Sequence, residues 1–415
     1  MEKELLNKVE ETFLVRKIKS MKPITTGNIN STYKVEAEGA NYILQKINKD
    51  VFTRPDEVMQ NIRRVNRFLE KKVLHEGGDP DREVLHPIDT LNGSRFLIDE
   101  NGDYWRMYDW IEDAKTYDNI DMTDKKNAIN MFYKVGSAFG RFQKRLIDYP
   151  AENLHEAIPD FHNTPKRYAD FKIAVAADKV GRLKEIENQK EHPLNIAVKI
   201  IEDSKEELQL LEICKKTGKL PIRVTHNDTK INNIMIDNKT GEAICVIDLD
   251  TVGPDTALVD FGDAIRSGGN PAGEEPKNIE DAVMDIELFE AYTEGYLNET
   301  LVVTKEGKLN NDAKKGLTKN EVSLLHKAPR ILTLELAMRF LGDYINGDEY
   351  FKLKEGQSED INLHRGLVQL HLAEDMKIKE DKMKKIVTSF AKKKLEKARN
   401  DRNISNEKDT KGEER

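Results

Sequence analysis

The sequence predicts an α+β protein with a small β-rich N-terminal lobe and a larger, mostly helical C-terminal lobe. Two strand-like regions, residues 18–47 and 84–111, flank a single helical segment, and helical apolar spacing dominates the chain thereafter. A chain of 415 residues is long enough for two or three units that each bury a core. We therefore expect an N-lobe over residues 1–110, a C-lobe over residues 111–375 and a charged tail over residues 376–415.

The N-lobe is expected to begin with a helix, because apolar residues recur at helical spacing across residues 2–13. The segment NSTYKVEAEGANYILQKI then predicts two strands joined at Glu38-Gly39, with a preceding turn around Gly27 and Asn28. Pro55 opens the following helix, since proline is tolerated in a first helical turn. Two further strand-like runs, SRFLID and DYWRMYDWI, complete this lobe.

The C-lobe contains several segments with helical patterns. MFYKVGSAFGRFQKRL predicts an amphipathic helix, and residues 170–216 predict helices interrupted near Pro193. Two later helices are expected in IELFEAYTEGYL and LLHKAPRILTLELAMRFLGDYI. From Met376 onward charged residues dominate, which predicts a solvated helix to about residue 400 and disorder beyond it.

Composition excludes several classes of function. The formal net charge of -8 argues against a nucleic-acid binder, which needs a basic excess to neutralise phosphates. Cys214 and Cys245 are too few for a disulfide framework, so a reducing, cytoplasmic location is expected. The N-terminus lacks the apolar region of a signal peptide, and no apolar run approaches the ~20 residues of a membrane helix. We expect no membrane partner.

The segment VTHNDTKINNIMIDNKTGEAICVIDLDT carries the strongest functional signal. His226, Asp228 and Asn233 have the spacing H-x-D-x-x-x-x-N of a kinase catalytic loop, and Asp248 follows a predicted hairpin. We expect Asp228 to accept the proton of an acceptor hydroxyl. Asn233 and Asp248 offer the hard oxygen donors that magnesium prefers. Asp250 would share a strand face with Asp248, either as an auxiliary ligand or as a residue that shapes the site.

A second triplet resembles a metal-binding motif but has the wrong spacing. Asp260-Phe261-Gly262 spells the DFG triplet of protein kinases, yet it lies 32 residues after Asp228, whereas Asp248 lies 20 residues after it. The metal-binding Asp should follow a short strand hairpin, which IMIDNKTGEAICVID supplies. We therefore expect Asp260 and Asp263 to brace the loop that carries Asp228, and His226 to do the same.

A kinase also needs groups that hold the nucleotide. The turn TTGNINSTY, with Gly27 and Asn28, is a candidate phosphate cover, although it has one glycine where protein kinases have three. Asp109 and Trp110 lie where the two lobes join, and adenine would meet backbone there.

Lys46 is the candidate for binding the ATP phosphates, because it ends the strand YILQKI. Glu57 on the next helix could pair with it. Gln45 faces the opposite side of the strand, and the sequence leaves open which of the two faces the nucleotide.

At the level of family, HNDTKINN with CVIDLDT resembles the aminoglycoside phosphotransferase and choline kinase superfamily, whose members share the protein-kinase-like two-lobe fold. GNINSTYKV, YILQKIN, RVTHNDTKINNIM, CVIDLDTVGPDTALVDFGDAIR and RFLGDYINGDEYFK together look like the N-acetylhexosamine 1-kinases, over roughly residues 20–375. That resemblance implies ATP and magnesium as cofactors, Asp228 as the base, and the anomeric hydroxyl of N-acetylglucosamine or N-acetylgalactosamine as acceptor.

The resemblance also implies a sugar pocket beside a late helix. It places Arg339, Asp343 and Tyr344 near the sugar, with Asn30 and Arg330 as weaker candidates of the same kind. On spacing alone, Arg339 could instead pair with Asp343 at i, i+4 on the helix surface.

Three rival hypotheses stay open at this stage. The protein could be another small-molecule kinase, acting on choline or ethanolamine, an aminoglycoside or methylthioribose. The mixed segment RFLGDY mildly favours a neutral sugar over these cationic acceptors. It could also be a nucleotide-binding module without transfer activity, although intact Asp228 and Asp248 argue against that, or an interaction protein that uses residues 376–415. The sequence predicts no oligomeric state.

Overall fold

The structure is a computed structural model that describes residues 2–13, 15–24, 29–304 and 306–413, with side chains described from residue 4 to residue 400 within these ranges. The chain forms two compact units. The first contains the residues up to Asp118 together with Tyr149–Pro159 and Asn232–Pro254. The second contains Asn119–Asp148, Asp160–Ile231 and the chain from Asp255 onward. Each unit therefore draws on separate stretches of the sequence.

The predicted α+β class is confirmed, with an antiparallel sheet in the N-terminal region and a larger helical C-terminal region. The strands are β1 (Ser20–Ile24), β2 (Ser31–Glu36), β3 (Asn41–Lys46), β4 (Pro87–Ile88), β5 (Leu97–Ile98), β6 (Tyr104–Asp109), β7 (Ala114–Lys115), β8 (Arg223–Thr225), β9 (Ile234–Asp237), β10 (Ala243–Val246) and β11 (Gly253–Asp255).

The helices follow the predicted segments closely. They are α1 (Glu2–Phe13), α2 (Pro55–Glu76), α3 (Pro80–Glu83), α4 (Lys125–Arg145), α5 (Thr164–Ala177), α6 (Arg182–Glu185), α7 (Pro193–Asp203), α8 (Lys205–Leu208), α9 (Leu210–Lys216), α10 (Ala257–Gly268), α11 (Ile286–Thr300), α12 (Lys319–Leu324), α13 (Ala328–Asn346) and α14 (Ile361–Glu413). Proline occupies the first turn of α2 and of α7, where the missing N–H costs nothing.

In the first unit, the sheet has the strand order β1-β2-β3-β6-β4, and β5 also pairs with β6. The chain turns between β2 and β3 at Gly39, whose φ of 93° is a left-handed conformation that glycine adopts without strain. Leu44 pairs with Met107 across β3 and β6. Both side chains belong to a buried cluster with Val9 and Phe13 of α1. The face of the sheet that carries Leu44 therefore packs on α1.

In the second unit, α13 lies at the centre of a helical core. Phe171 of α5, Leu194 of α7 and Leu370 of α14 cluster with Leu334 and Leu341 of α13. Helices α4 and α11 also approach closely at Gly295 of α11. A Cβ at that position would lie only 2.2 Å from the carbonyl oxygen of Tyr133 on α4, so the close approach requires glycine. These contacts make the helical unit a continuous scaffold for the loop that follows β8.

The C-terminal segment differs from its prediction. Helix α14 runs without a break from Ile361 to Glu413, so no element begins at Met376, and the backbone is helical where disorder is the expectation. The stretch predicted to be solvated has a buried face, formed by the side chains of Met376, Met383, Val387 and Ala391. Their spacing of seven, four and four residues is helical, and the high content of charged residues around them masks it.

Within the part of the chain that the structure describes, no helix is both long enough and apolar enough to cross a membrane.

Candidate active site

The loop after β8 is held by two carboxylates of α10. Asp260 accepts hydrogen bonds from the backbone N–H groups of His226 and Asn227, at 2.9 and 2.8 Å. Asp263 accepts one from the N–H of Thr229 at 2.8 Å. Residues three apart on a helix lie on the same face, which is why α10 can present both carboxylates to one loop. The prediction that Asp260 and Asp263 brace this loop is confirmed.

His226 supports the same loop from within. Its ring is fully buried and meets the edges of Phe139 and Phe142 on α4, with centroid distances of 5.7 and 5.9 Å. Its Nδ1 lies 3.2 Å from the backbone N–H of Asp228 and accepts a hydrogen bond from it. His226 therefore braces the loop, as predicted.

Asp228 stands at the tip of this loop with a partly exposed side chain. The ammonium of Lys230 lies 3.6 Å from its carboxylate, and that carboxylate raises the pKa of Lys230. The preceding residue, Asn227, has a φ of 67°, a left-handed conformation that is uncommon for a residue other than glycine. A partly exposed acid therefore follows a residue whose backbone is held in a rare conformation.

One further buried side chain, that of His162, contacts the loop and is itself held by Glu335, and the sequence singles out neither residue. His162 Nε2 lies 2.9 Å from the carbonyl oxygen of Asn227, and His162 Nδ1 lies 3.2 Å from Glu335 on α13. The histidine is 65 residues away from Asn227 in sequence. No local pattern marks such a contact, because only the fold brings the two segments together.

In the first unit, the β9–β10 hairpin brings the two predicted metal ligands to one end. Ile234 pairs with Val246, and the N–H of Ile247 donates to the carbonyl oxygen of Asn233 at 2.9 Å. Asp248 follows at once, with an exposed side chain and a left-handed φ of 59°. One amide and one carboxylate suit magnesium, which keeps waters and phosphate oxygens as its other ligands.

No group of three or more His, Cys, Asp or Glu side chains is placed to hold a metal ion among the described residues. A two-donor magnesium site completed by phosphate oxygens needs no such group. Asn233 and Asp248 thus fit the predicted metal.

Asp250, two residues beyond, is engaged in a buried ion pair. Arg106 of β6 meets its carboxylate with both terminal nitrogens, at 2.5 and 2.8 Å. Asn30 donates to the same carboxylate at 2.6 Å, and Gln45 accepts from Arg106 at 2.9 Å. Burial alone would lower the pKa of Arg106, but Asp250 raises it well above its usual range. Asp250 therefore shapes the turn after Asp248.

Asn30, expected near the sugar, joins this network in the first unit. Its side-chain oxygen also accepts from the N–H of Asn48 at 2.9 Å. Both ends of the Asn30 amide are thus used, and they link the residue before β2 to the turn that contains Asp250 and to the chain just after β3.

The register of β3 shows which face of the sheet carries Lys46 and which carries Gln45. Gln45 pairs with Arg106 across the strands and shares its face, whereas Lys46 pairs with Trp105 on the face that packs on α1. The ammonium of Lys46 lies 3.0 Å from Asp103. The expected pair of Lys46 with Glu57 is wrong, since Glu57 pairs with Arg54 at 2.7 Å. The phosphate-binding role of Lys46 stays a prediction that this orientation does not favour.

Gly27 and Asn28 lie outside the described residues. Asp109 ends β6 with its N–H donating to the carbonyl oxygen of His86, and the ammonium of Lys34 lies 4.4 Å from the Trp110 ring. Asp109 and Trp110 remain predicted contacts of adenine.

On α13, the guanidinium of Arg339 lies among three aromatic rings. It is 5.6 Å from the Phe161 centroid, 5.8 Å from that of Tyr350 and 5.6 Å from that of Phe351. Asp343 does not pair with it, because its two oxygens accept the N–H groups of Tyr350 and Phe351, each at 2.8 Å. Asp343 thereby holds the aromatic segment in place.

Two other sugar candidates are engaged away from Arg339. Tyr344 is buried, donates its hydroxyl to Asp360 at 2.8 Å and packs in the helical core. Five positions along a helix turn the side chain by about 140°, so Tyr344 faces away from Arg339. Arg330 is buried, and Glu207 and Glu374 pair with it. These contacts indicate structural roles for Tyr344 and Arg330.

Comparison with known proteins identifies a matching family and several solved structures with a similar fold. The model of the phosphotransferase enzyme family matches residues 20–300. A spectinomycin phosphotransferase solved with ADP and spectinomycin is 14% identical, with 91% of this chain and 98% of that chain covered and a TM-score of 0.49. A choline kinase from Streptococcus pneumoniae is 12% identical, with coverages of 91% and 99% and a TM-score of 0.46. A Plasmodium vivax ethanolamine kinase is 15% identical, with coverages of 88% and 82% and a TM-score of 0.45.

The buried Arg106–Asp250 pair yields a stability prediction. Asp250→Ala leaves the guanidinium of Arg106 buried without its carboxylate, so it should lower the free energy of unfolding by about 3–5 kcal/mol. The matched control is Asp103→Ala, which breaks more exposed pairs with Lys46 and Lys49 and should cost less than about 1 kcal/mol. Urea unfolding of both variants checks this. Equal losses would show that the buried pair has no special weight.

Proposed function

The chain belongs to the phosphotransferase enzyme family, and from this premise we propose that it transfers the γ-phosphoryl group of ATP to the C1 hydroxyl of an N-acetylhexosamine, N-acetylglucosamine or N-acetylgalactosamine. The observation that carries the transfer chemistry is the braced loop after β8. Asp260 and Asp263 hold its N–H groups, and the loop presents Asp228 with a partly exposed carboxylate. Such a fixed acid is what a hydroxyl acceptor needs for removal of its proton.

The proposed reaction is a direct in-line displacement. Asp228 accepts the proton of the acceptor hydroxyl as its oxygen forms a bond to the γ-phosphorus. The bond from the γ-phosphorus to the bridging oxygen breaks, and ADP leaves with that oxygen. Asn233 and Asp248 would hold magnesium, which neutralises phosphate charge when it is bound. No covalent intermediate with the protein is needed.

The surroundings of Arg339 support a neutral acceptor. The nearby carboxylates are already engaged, because Glu335 contacts His162 and Asp343 accepts two backbone N–H groups. Arg339 itself has no ion pair among the described side chains. Burial and the neighbouring charge of Arg339 both lower the pKa of Arg167, so two cations lie close together here. The like charges of Arg339 and Arg167 disfavour a cationic acceptor such as choline or an aminoglycoside.

The aromatic rings and the guanidinium near α13 also offer favourable contacts to a sugar. The exposed Tyr350 ring and its neighbour Phe351 offer apolar faces, and Arg339 offers several N–H donors for hydroxyl and acetamide oxygens. The combination supports the proposed N-acetylhexosamine.

A panel of acceptors tests the proposal directly. The protein, ATP and magnesium are combined with N-acetylhexosamines, plain hexoses, methylthioribose, choline, ethanolamine and an aminoglycoside, and ADP release is measured. We expect turnover of the N-acetylhexosamines, with phosphorus NMR placing the phosphate on C1. Phosphate on another hydroxyl, or brisk choline turnover without sugar turnover, would refute the acceptor assignment while leaving the phosphotransferase chemistry intact.

Removal of the proposed base should abolish catalysis without loss of nucleotide binding. Asp228→Asn cannot accept the proton, so kcat should fall by about 10²–10⁴-fold. Calorimetric titration with ADP and magnesium should still show binding. Asp170→Asn, which removes an exposed carboxylate paired with Lys166, is the control and should keep full activity. A folded Asp228→Asn variant with normal turnover would rule out Asp228 as the base.

The assignment of Arg339 predicts a selective effect on the acceptor. Arg339→Gln removes most of its donors, so the KM for the sugar should rise by about tenfold or more while the KM for ATP stays unchanged. The control is Arg365→Gln, since the guanidinium of Arg365 also lies over a ring, at 5.7 Å from Phe340, and pairs with Glu275. A change in the KM for ATP with none for the sugar would contradict the role.

A further inference from the structure

His162 and Glu335 form a buried pair that the reaction described above does not use. The side chain of His162 is 7% exposed and that of Glu335 is 2% exposed. Nδ1 of the histidine faces both carboxylate oxygens, at 3.2 and 3.4 Å. Nε2 faces the carbonyl oxygen of Asn227 at 2.9 Å. Since a carboxylate and a carbonyl can only accept, both ring nitrogens must carry protons for both hydrogen bonds to exist.

The charges around His162 favour this doubly protonated form. Burial alone would lower the pKa of the ring, but Glu335 acts against burial, and the pKa of His162 is raised to about 9. Asp263 and Asp260 of α10 also face the ring and favour its positive charge. The imidazolium thus lies in a cluster with three acids, and Arg266 and Lys230 are further cations beside Asp263.

The contact with Asn227 complements the other anchors of the loop. Asp260 and Asp263 hold N–H groups of the loop backbone, whereas His162 holds a carbonyl oxygen. That carbonyl belongs to the left-handed residue immediately before Asp228. It is part of the peptide that joins Asn227 to Asp228, so its hydrogen bond fixes the plane of that peptide and with it the backbone that carries the Asp228 side chain.

The pair of His162 and Glu335 lies next to the proposed acceptor-binding residue, Arg339. Glu335 and Arg339 are four residues apart on α13, one turn of the helix. Phe161, the neighbour of His162 in sequence, contacts the guanidinium of Arg339. A chain of contacts therefore runs from Asn227 through His162 and Glu335 to the helix that carries Arg339, entirely within the second unit.

We propose that His162, as an imidazolium held by Glu335, is a positioning residue. It fixes the position of the loop that carries Asp228 relative to the acceptor-binding face of α13. The inference rests on the proposed function, because that function makes α13 the acceptor-binding helix. It assigns His162 no contact with substrate. The pair aligns the acceptor hydroxyl with Asp228, and a small misalignment of reacting atoms is costly in rate.

Kinetics of single and double variants test the role. His162→Gln keeps a donor for one contact and leaves Glu335 buried without its cation, while Glu335→Gln removes the charge that retains the proton. Each should lower kcat by about ten- to a hundredfold and raise the KM for the acceptor, with the KM for ATP and ADP binding unchanged. The double variant should be no worse than His162→Gln alone, because the two residues act as one unit.

The matched control is His326→Gln. His326 is also buried with a carboxylate nearby, Glu380 at 3.8 Å, yet burial lowers its pKa to about 4. It should leave all kinetic parameters unchanged. The proposal is overturned if folded His162→Gln keeps normal kcat and acceptor KM, or if it weakens ATP and acceptor equally, as a general loss of structure would. If His162→Gln fails to fold, Glu335→Gln decides on the same criteria.

A spectroscopic measurement separates this inference from the proposed function. In nitrogen-15 spectra of the histidine-labelled protein at about pH 7.5, above the usual histidine pKa of about 6.5, the signals lost in His162→Gln should be those of an imidazolium. The signals lost in His326→Gln should be those of a neutral ring. A neutral His162 overturns the inference whether or not any sugar is phosphorylated. An imidazolium with no acceptor turned over supports the pair and refutes only the proposed function.

Discussion

The structure depends most on how buried charged side chains hold the backbone of the loop after β8. A loop cannot satisfy its own N–H and C=O groups as a helix or strand does, so each buried group needs a partner from elsewhere. Here Asp260 and Asp263 accept the N–H groups of three loop residues, and His162 donates to a carbonyl oxygen. Charged partners make the stronger hydrogen bonds, and together they keep Asn227 in its left-handed conformation. The position of Asp228 follows from these contacts.

Such buried acids would repel one another without compensating cations. Arg266 meets Asp263 at 2.8 Å and also pairs with Glu274, and the guanidinium holds the pKa of Asp263 below its usual range against the effect of burial. His162 supplies a second cation beside Asp260. The first unit uses the same device on its own, where Arg106 compensates Asp250 beside the turn of Asp248. In both units, a residue proposed for the chemistry stays accessible while a buried ion pair next to it holds the backbone.

Much of the fold follows from local patterns, and the failures have identifiable causes. Apolar periodicity predicts α2, α4, α11 and α13, and a proline lies in the first turn of α2 and of α13. Alternation along β3 predicts that the side chains of Gln45 and Lys46 lie on opposite faces of the sheet. It does not predict which of the two faces packs on α1. Lys46 is therefore assigned to the wrong neighbours. The buried face of α14 is overlooked because lysines and glutamates surround its apolar residues.

By itself the sequence determined the chemistry-bearing loop, since the spacing of His226, Asp228 and Asn233 and the hairpin before Asp248 are local properties of the chain. It also separated Asp248 from the look-alike Asp260 by distance along the chain. Only the tertiary structure decided what surrounds those residues. Folding brings together the partners of several charged side chains. Examples are His162 with Glu335, Arg106 with Asp250, and Asp343 with the backbone of Tyr350 and Phe351. The partner of a charged side chain is set by proximity in space and by burial, and neither is encoded in the neighbouring residues.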